Sequence, residues 1–474
     1  MNIFQWKFSL IVVLYMKFVV FLSAATVVSS VIWEQVEKLV PLDGESFDSF
    51  GRAVKGIAES SVLVSSYRHR IGQTSPGIVY HFSKNSSDAN AWSLVSNFSS
   101  ENASDEGFFG SSISALSPEL VVVGATGVND VGAAFVFSLT SDDIWSQQAK
   151  LQPTDADDED VFGWDSAGLD GSSVLVSAYR DDHTAENAGS AYIFTSSGEV
   201  DVWTQSAKLT ASDANYQDYF AHSVTGLGPN TVLIGAHSNG PGVVYVFTSD
   251  EGMWGESSSF SASDGSEQDQ FGYKIVGLRA TQALVGAPEY DAEDFDGLQR
   301  GGMAYIFSQS SQSGLWEQTA KLTPSDASSF AMFGVDVEAL SSHLALVGAY
   351  RDEEDTGAVY VFTRFPQGLW GQEAKLTASD GARGDFFGFA IGRVSAMTVV
   401  IGAYGYEEQL GCAYVFTSTR FVQDAIEETE AEPDQQHLEE HISAGISIRN
   451  GPYQNSYFIN LIAIVCLILT QLRS

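Results

Sequence analysis

Apolar and polar residues alternate in short bursts along most of this chain, and the bursts recur. In WSQQAKL (145–151), Trp145, Ala149 and Leu151 fall on one face while Lys150 points away, the period-two pattern of a strand. β-Branched runs such as VVVGA (121–125) come back repeatedly between glycine-rich turns, which predicts short strands rather than helices.

The recurrence has a fixed spacing. Trp33, Trp92, Trp145, Trp203, Trp254, Trp316 and Trp370 are each followed six residues later by Leu or Phe, and seventeen residues later by Phe. Those phenylalanines are Phe50, Phe109, Phe162, Phe220, Phe271, Phe333 and Phe387; glycine follows six of them and Ala221 the other. Fifteen residues on stands a small residue in a VLVGA-like run, and a GxxYVF-type strand closes each copy at Phe82, Phe137, Phe194, Phe247, Phe307, Phe362 and Phe416. A glycine always lies five residues before that closing Phe. Seven copies share the frame.

Each copy holds four strand patterns, at the Trp, at the Phe-Gly, at VLVGA and at YVF. Units of about 50–60 residues with four strands have the size of propeller blades. A stacked solenoid would show shorter units and distinct polar caps. The chain therefore reads as all-β, a seven-bladed β-propeller of four-stranded antiparallel blades. The first copy begins with its Trp strand (33–39) and the last stops after YVF (413–416), so the final blade lacks an outer strand of its own. The N-terminal strand is expected to supply it and so hide two open sheet edges.

Phe-Gly, Val-Gly-Ala and Gly-x-x-Tyr-Val-Phe together resemble the FG-GAP repeats of the β-propeller at the N-terminus of integrin α-subunits, over residues 33–416. The resemblance implies a seven-bladed propeller and weakly implies a binding role. It also implies calcium on D-x-D-x-D-G-type hairpin loops, of which this chain has no clean copy, and proline completes the Gly-Ala-Pro triplet only at Pro288.

Loop chemistry comes next. Seven residues before each repeat Phe stands Asp43, Asn102, Asp155, Asp213, Asp264, Asp326 or Asp380; the single Asn favours a hydrogen-bonding turn over a charge. Two before it stands Asp48, Asp160, Asp218, Asp269 or Asp385 in five copies. Asp385 completes the adhesion-type tripeptide Arg383-Gly384-Asp385, but the repeat itself puts an aspartate there, so the tripeptide reads as accidental.

The loop after VLVGA and the loop before Phe-Gly should emerge on one face, because successive strands reverse direction. That face would gather TDADDED (154–160), YRDDHTAEN (179–187), PEYDAEDFDG (288–297) and YRDEED (350–355). Oxygen-rich loops suit calcium. The candidate ligands are Asp155, Asp157, Glu159 and Asp160, then Asp291, Glu293, Asp294 and Asp296, with a solvated acidic face as the plain alternative. Three Tyr-Arg pairs (67–68, 179–180, 350–351) read either as ligand contacts or as arginines neutralising their own loops.

Sixty acidic against 23 basic side chains give a formal charge of −37, which excludes a phosphate-binding basic face and hence nucleic acid. Residues 1–30 read as a secretory signal peptide, 31–420 as the propeller, 421–456 as an acidic flexible stalk and 457–474 as an apolar anchor signal or short membrane segment. Ser443, with Ala444 and Gly445, lies about eleven residues before the apolar stretch, the layout of a GPI-attachment site. Asn85, Asn97 and Asn102 head glycosylation sequons. Only Cys412 and Cys466 occur, so a mature domain holding Cys412 alone has no internal disulfide and must rely on packing.

No HExxH, GxSxG or P-loop motif appears, and no acid pair is singled out. The sequence thus points to a binding or adhesion module anchored at the extracellular side of the membrane. Its partner would be a protein or glycan, with calcium as the one cofactor to test. The rival readings are a carbohydrate-active enzyme and a structural coat protein.

Overall fold

A computed structural model describes residues 31–419 except 73, 86–90, 102–105, 199–201 and 292–299. Its strands form seven four-stranded antiparallel sheets, and in six of them the strands follow chain order from the axis outward. The seventh is composite. The strands Ala390–Ser395, Thr398–Ala403 and Cys412–Ser418 are completed by the N-terminal strand Trp33–Leu39, which pairs Trp33 with Ser418 and Leu39 with Ala413. Closure by the N-terminal strand is therefore what the molecule does.

The core is a set of layers, one at each contact between neighbouring blades. At the closing seam Phe50, Val64 and Tyr80 of the first blade pack with Val394, Val400 and Val415 of the last, and six further layers repeat the arrangement around the ring. The second strand of every blade is caught between two such layers. Leu120–Ala125, for instance, is buried at every position after the first, and this explains its unbroken apolar run. Outer strands such as Trp145–Leu151 have one wet face and keep the alternation.

The repeated glycine before each closing strand is a steric requirement. A Cβ on Gly411 would fall 2.1 Å from the carbonyl oxygen of Phe50, and one on Gly132 2.2 Å from that of Phe162. Each repeat Phe lies against the backbone of the preceding blade, with an isolated parallel bridge linking Phe50 to Gly411 and Phe162 to Gly132. At this spot two blades touch main chain to main chain.

Candidate functional site

The loop that enters each blade is fastened across that blade's upper edge. Asp380 accepts hydrogen bonds from the Tyr414 phenol (2.8 Å) and from the Lys38 ammonium (2.7 Å). Asp43 accepts from Tyr80, Asp213 from Tyr245, Asp264 from Lys321, Asp326 from Lys375, and Asp155 from Lys208. Burial alone would raise the carboxyls of Asp155, Asp264, Asp326 and Asp380, but the lysine beside each holds them below the usual carboxylate range. Burial, and then the neighbouring carboxylate, pushes the partner tyrosines Tyr80, Tyr192, Tyr245 and Tyr360 up. The expected hydrogen-bonding role is present, with a different partner: the bonds cross to the third and fourth strands instead of closing a local turn.

The local turn is closed by the second aspartate. Asp48, Asp160, Asp218, Asp269 and Asp385 each accept the backbone N–H of the residue three before them, at 2.6–2.9 Å. Asp385 is only 5% exposed, so the carboxylate an adhesion receptor would need is turned inward, while Arg383 stays at the surface.

Between that aspartate and the repeat Phe sits a residue with left-handed backbone in all seven copies. It is Ser49, Phe108, Val161, Tyr219, Gln270, Met332 or Phe386, with φ between 51° and 61°. Such conformations are strained for bulky side chains and persist only where the surroundings enforce them. Here the preceding blade does so: Ser49 N–H donates to Gln409 O (2.7 Å), Tyr219 N–H to Asn187 O (3.2 Å) and Phe386 N–H to Asp355 O (3.1 Å).

The consequence is an aromatic surface at the upper mouth of the central channel, built from three register positions. Phe108, Tyr219 and Phe386 come from the strained position. Trp164, His222, Tyr273 and Phe389 come from the residue after Phe-Gly, or after Phe-Ala in the fourth blade. Tyr67, Tyr179, His237, Tyr350 and Tyr404 come from the residue after the VLVGA run. Their rings meet in a chain: Tyr67–Phe108 at 5.6 Å, Trp164–Tyr179 at 5.0 Å, Tyr179–Tyr219 at 5.8 Å, Tyr350–Phe386 at 5.7 Å and Phe386–Tyr404 stacked at 5.2 Å. Arg52 joins the two halves, its guanidinium 4.4 Å from the Phe389 ring centre, 5.6 Å from Tyr67 and 5.7 Å from Trp164. Burial pushes the His222 imidazole down to about 4 and His237 well down too, so both rings are neutral near pH 7.

Below the mouth the inner strands of all seven blades line a cavity of about 300 Å³. Lys274 reaches into it and meets both oxygens of Asp165 at 3.2–3.3 Å, while Asp165 also accepts the N–H of Val224 (3.0 Å). Asp336 accepts Ile391 N–H (2.6 Å), and burial raises its carboxyl to about 7 despite the nearby Lys274.

The proposed calcium residues separate into different roles. Asp155 faces Lys208, Asp160 is turned to its own loop, and Asp291 accepts Arg300 N–H (2.6 Å); Glu293, Asp294 and Asp296 lie outside the described residues. Among the described residues no three His, Cys, Asp or Glu side chains are grouped to hold a metal ion. The hairpins joining first and second strands are two residues long in six blades and four in the other, too short for a D-x-D-x-D-G loop.

Each of the three Tyr-Arg pairs stacks on itself, at 5.2–6.0 Å. Their tyrosines belong to the aromatic mouth and their arginines point outward. Asn97 is exposed on an outer strand. Asn85 follows the strand Ile78–Lys84 and donates its N–H to Ala91 O (2.8 Å), and Asn102, Ser443, the N-terminal leader and the C-terminal tail lie outside the described residues.

Sequence reasoning missed the aromatic mouth, although its signal was legible in register: Phe, Tyr, Trp or His recurs at positions −1 and +2 from the Phe and just after Val-Gly-Ala. It also missed a paired change. The copy with Asn102 in place of aspartate is the one with Phe135 in place of tyrosine, and its lysine, Lys150, is exposed.

The family model of the FG-GAP repeat matches residues 33–82, 145–194, 203–247, 254–307, 316–362 and 370–416, more than half of the chain. Those six matches omit residues 92–137, where the paired change lies. A search among curated proteins finds no match.

Proposed function

The chain belongs to the FG-GAP repeat family, and from that premise we propose that it is a non-catalytic binding or adhesion module whose upper face, the aromatic mouth inside its acidic loops, engages a protein partner through basic side chains. The observation that carries this is Arg52: the floor already holds a guanidinium against three aromatic rings, which is the chemistry a second cation would meet. The charge of −37 would draw a cationic partner towards that face and speed its encounter. Aromatic side chains supply large contact area at low entropic cost, as binding surfaces require. The apolar stretches at both ends of the sequence support presentation of the module at the cell surface.

The test is adhesion of cells to wells coated with the protein. Replacing Tyr350 and Phe386 by Ser should lower adhesion at least tenfold, and an arginine-rich peptide should compete with it. Unchanged adhesion in the variant, or competition by free glycans and not by the peptide, would reject the reading. No calcium is needed in this scheme, so adhesion should persist in chelator.

A further inference from the structure

The lower face carries a second repeated feature that the repeat frame does not require. The residue just before the repeat Trp of the outer strand is a large apolar side chain in six of seven blades: Ile32, Ile144, Val202, Met253, Leu315 and Leu369. All six are exposed, between 39% and 74%. Scattered single apolar residues on a surface need no explanation. These are not scattered, because they occupy one register position. Where the hairpin has its full length, the same backbone bond fixes it: Thr140 N–H to Ile144 O, Ser197 to Val202, Ser310 to Leu315 and Phe365 to Leu369, at 2.8–3.2 Å. In the closing blade Thr419 N–H donates to Ile32 O at 2.9 Å, and Met253 pairs with Asp250 in a two-residue turn.

Positions equivalent in a propeller lie at one height along the axis. A ring of six separate side chains at one height fits a flat, apolar-accepting surface and not a compact protein, which would reach only one or two of them. The described chain also leaves the ring at Thr419 on this face, and the 55 residues that follow contain the apolar run Tyr457–Leu469.

We propose that the lower face rests on a lipid bilayer, with these six side chains entering its interfacial layer. Each alone partitions weakly; together they act as a multivalent contact. Asp142, Asp143, Asp250 and Glu251 are exposed in the same hairpins, so the surface preferred is zwitterionic. The upper face would then point away from the membrane, which is compatible with the proposed adhesion role but does not depend on it.

The test uses the chain from Val31 to Thr419, which contains every strand of the ring and neither apolar terminal stretch, in flotation with phosphatidylcholine vesicles. The wild type should float. The variant with Ser at all six positions should float at least tenfold less while melting at the same temperature, since the changed side chains are exposed. If that variant does not fold, Met253→Asp with Leu369→Asp serves instead and should lower flotation several-fold. Added phosphatidylserine should weaken binding. A wild type that stays at the bottom, a serine variant that floats equally, or tighter binding to the anionic vesicles would each overturn the proposal.

Discussion

The closing blade and the second blade are built on the same frame and held in different ways. In the closing blade the entering loop is fixed by Asp380 to Tyr414 and Lys38, and by Ser379 N–H to Gln35 (2.9 Å). Lys38 and Gln35 both belong to the N-terminal strand, so the strand that closes the ring also fastens the last loop. The second blade keeps the outer part of this clasp, with Ser100 donating to Gln147 at 2.9 Å. It lacks the inner part, having Phe135 where the tyrosine stands and an exposed Lys150. Phe135 packs instead on Phe109 at 6.0 Å. The comparison teaches that blade formation needs the apolar layers and the glycine contacts, while the polar clasp is an added fixing that varies between blades: the first and fourth carry Asn97 and Ser259 in place of its lysine, and the second carries Phe135 in place of its tyrosine.

The strongest way to break the closing blade is to remove its borrowed strand. A chain starting at residue 40 should lose the sharp thermal transition, because two sheet edges and the seam layer open together. Calorimetry of the shortened chain would show it, and a full-height transition at the original temperature would refute closure.

Next in size is Gly411→Ala. The new Cβ meets the carbonyl of Phe50 at 2.1 Å from a left-handed backbone, and the loss should be about 3 kcal/mol or more in denaturant titration. The same change at Gly132, where the second blade meets the third, should cost a similar amount. The two blades agree there.

They should part at the clasp. Tyr414→Phe should cost about 1–2 kcal/mol, since Asp380 loses a partner it keeps partly buried. Phe135→Tyr should not stabilise by itself, whereas Phe135→Tyr with Asn102→Asp should recover what either change alone loses; strict additivity would show that no clasp formed. Lys38→Met should be destabilising and Lys150→Met within about 0.5 kcal/mol of neutral.

The smallest effect is a pH dependence. His69 Nδ1–H donates to the Asp48 carboxylate at 2.7 Å, and this bond raises its imidazole above the ordinary value of 6.5 despite burial. The folded state therefore holds that proton more tightly, so the gain is complete below pH 6.5 and is lost as pH rises through the folded value. Asp336, which bonds the closing blade at Ile391, follows the same sign, its raised carboxyl releasing its proton near pH 7. Melting should fall by a few degrees, on the order of 1–4 °C, between pH 6 and pH 8. His69→Asn with Asp336→Asn should flatten the slope. The equivalent of His69 in the second blade is the buried Val128, which has nothing to titrate.

The repeat spacing determined the fold, the blade count and the closing strand, because strand periodicity and the steric demand for glycine act over a few residues and leave marks at fixed intervals. It also determined that an aspartate belongs at positions 380 and 385. Which atoms those aspartates hold was decided only in three dimensions: Lys38 lies 342 residues from Asp380 in sequence and 2.7 Å from it in space. The aromatic mouth has the same origin. Seven loops distant in sequence are brought to one rim by ring closure, and each is turned inward by a left-handed residue that the preceding blade holds in place.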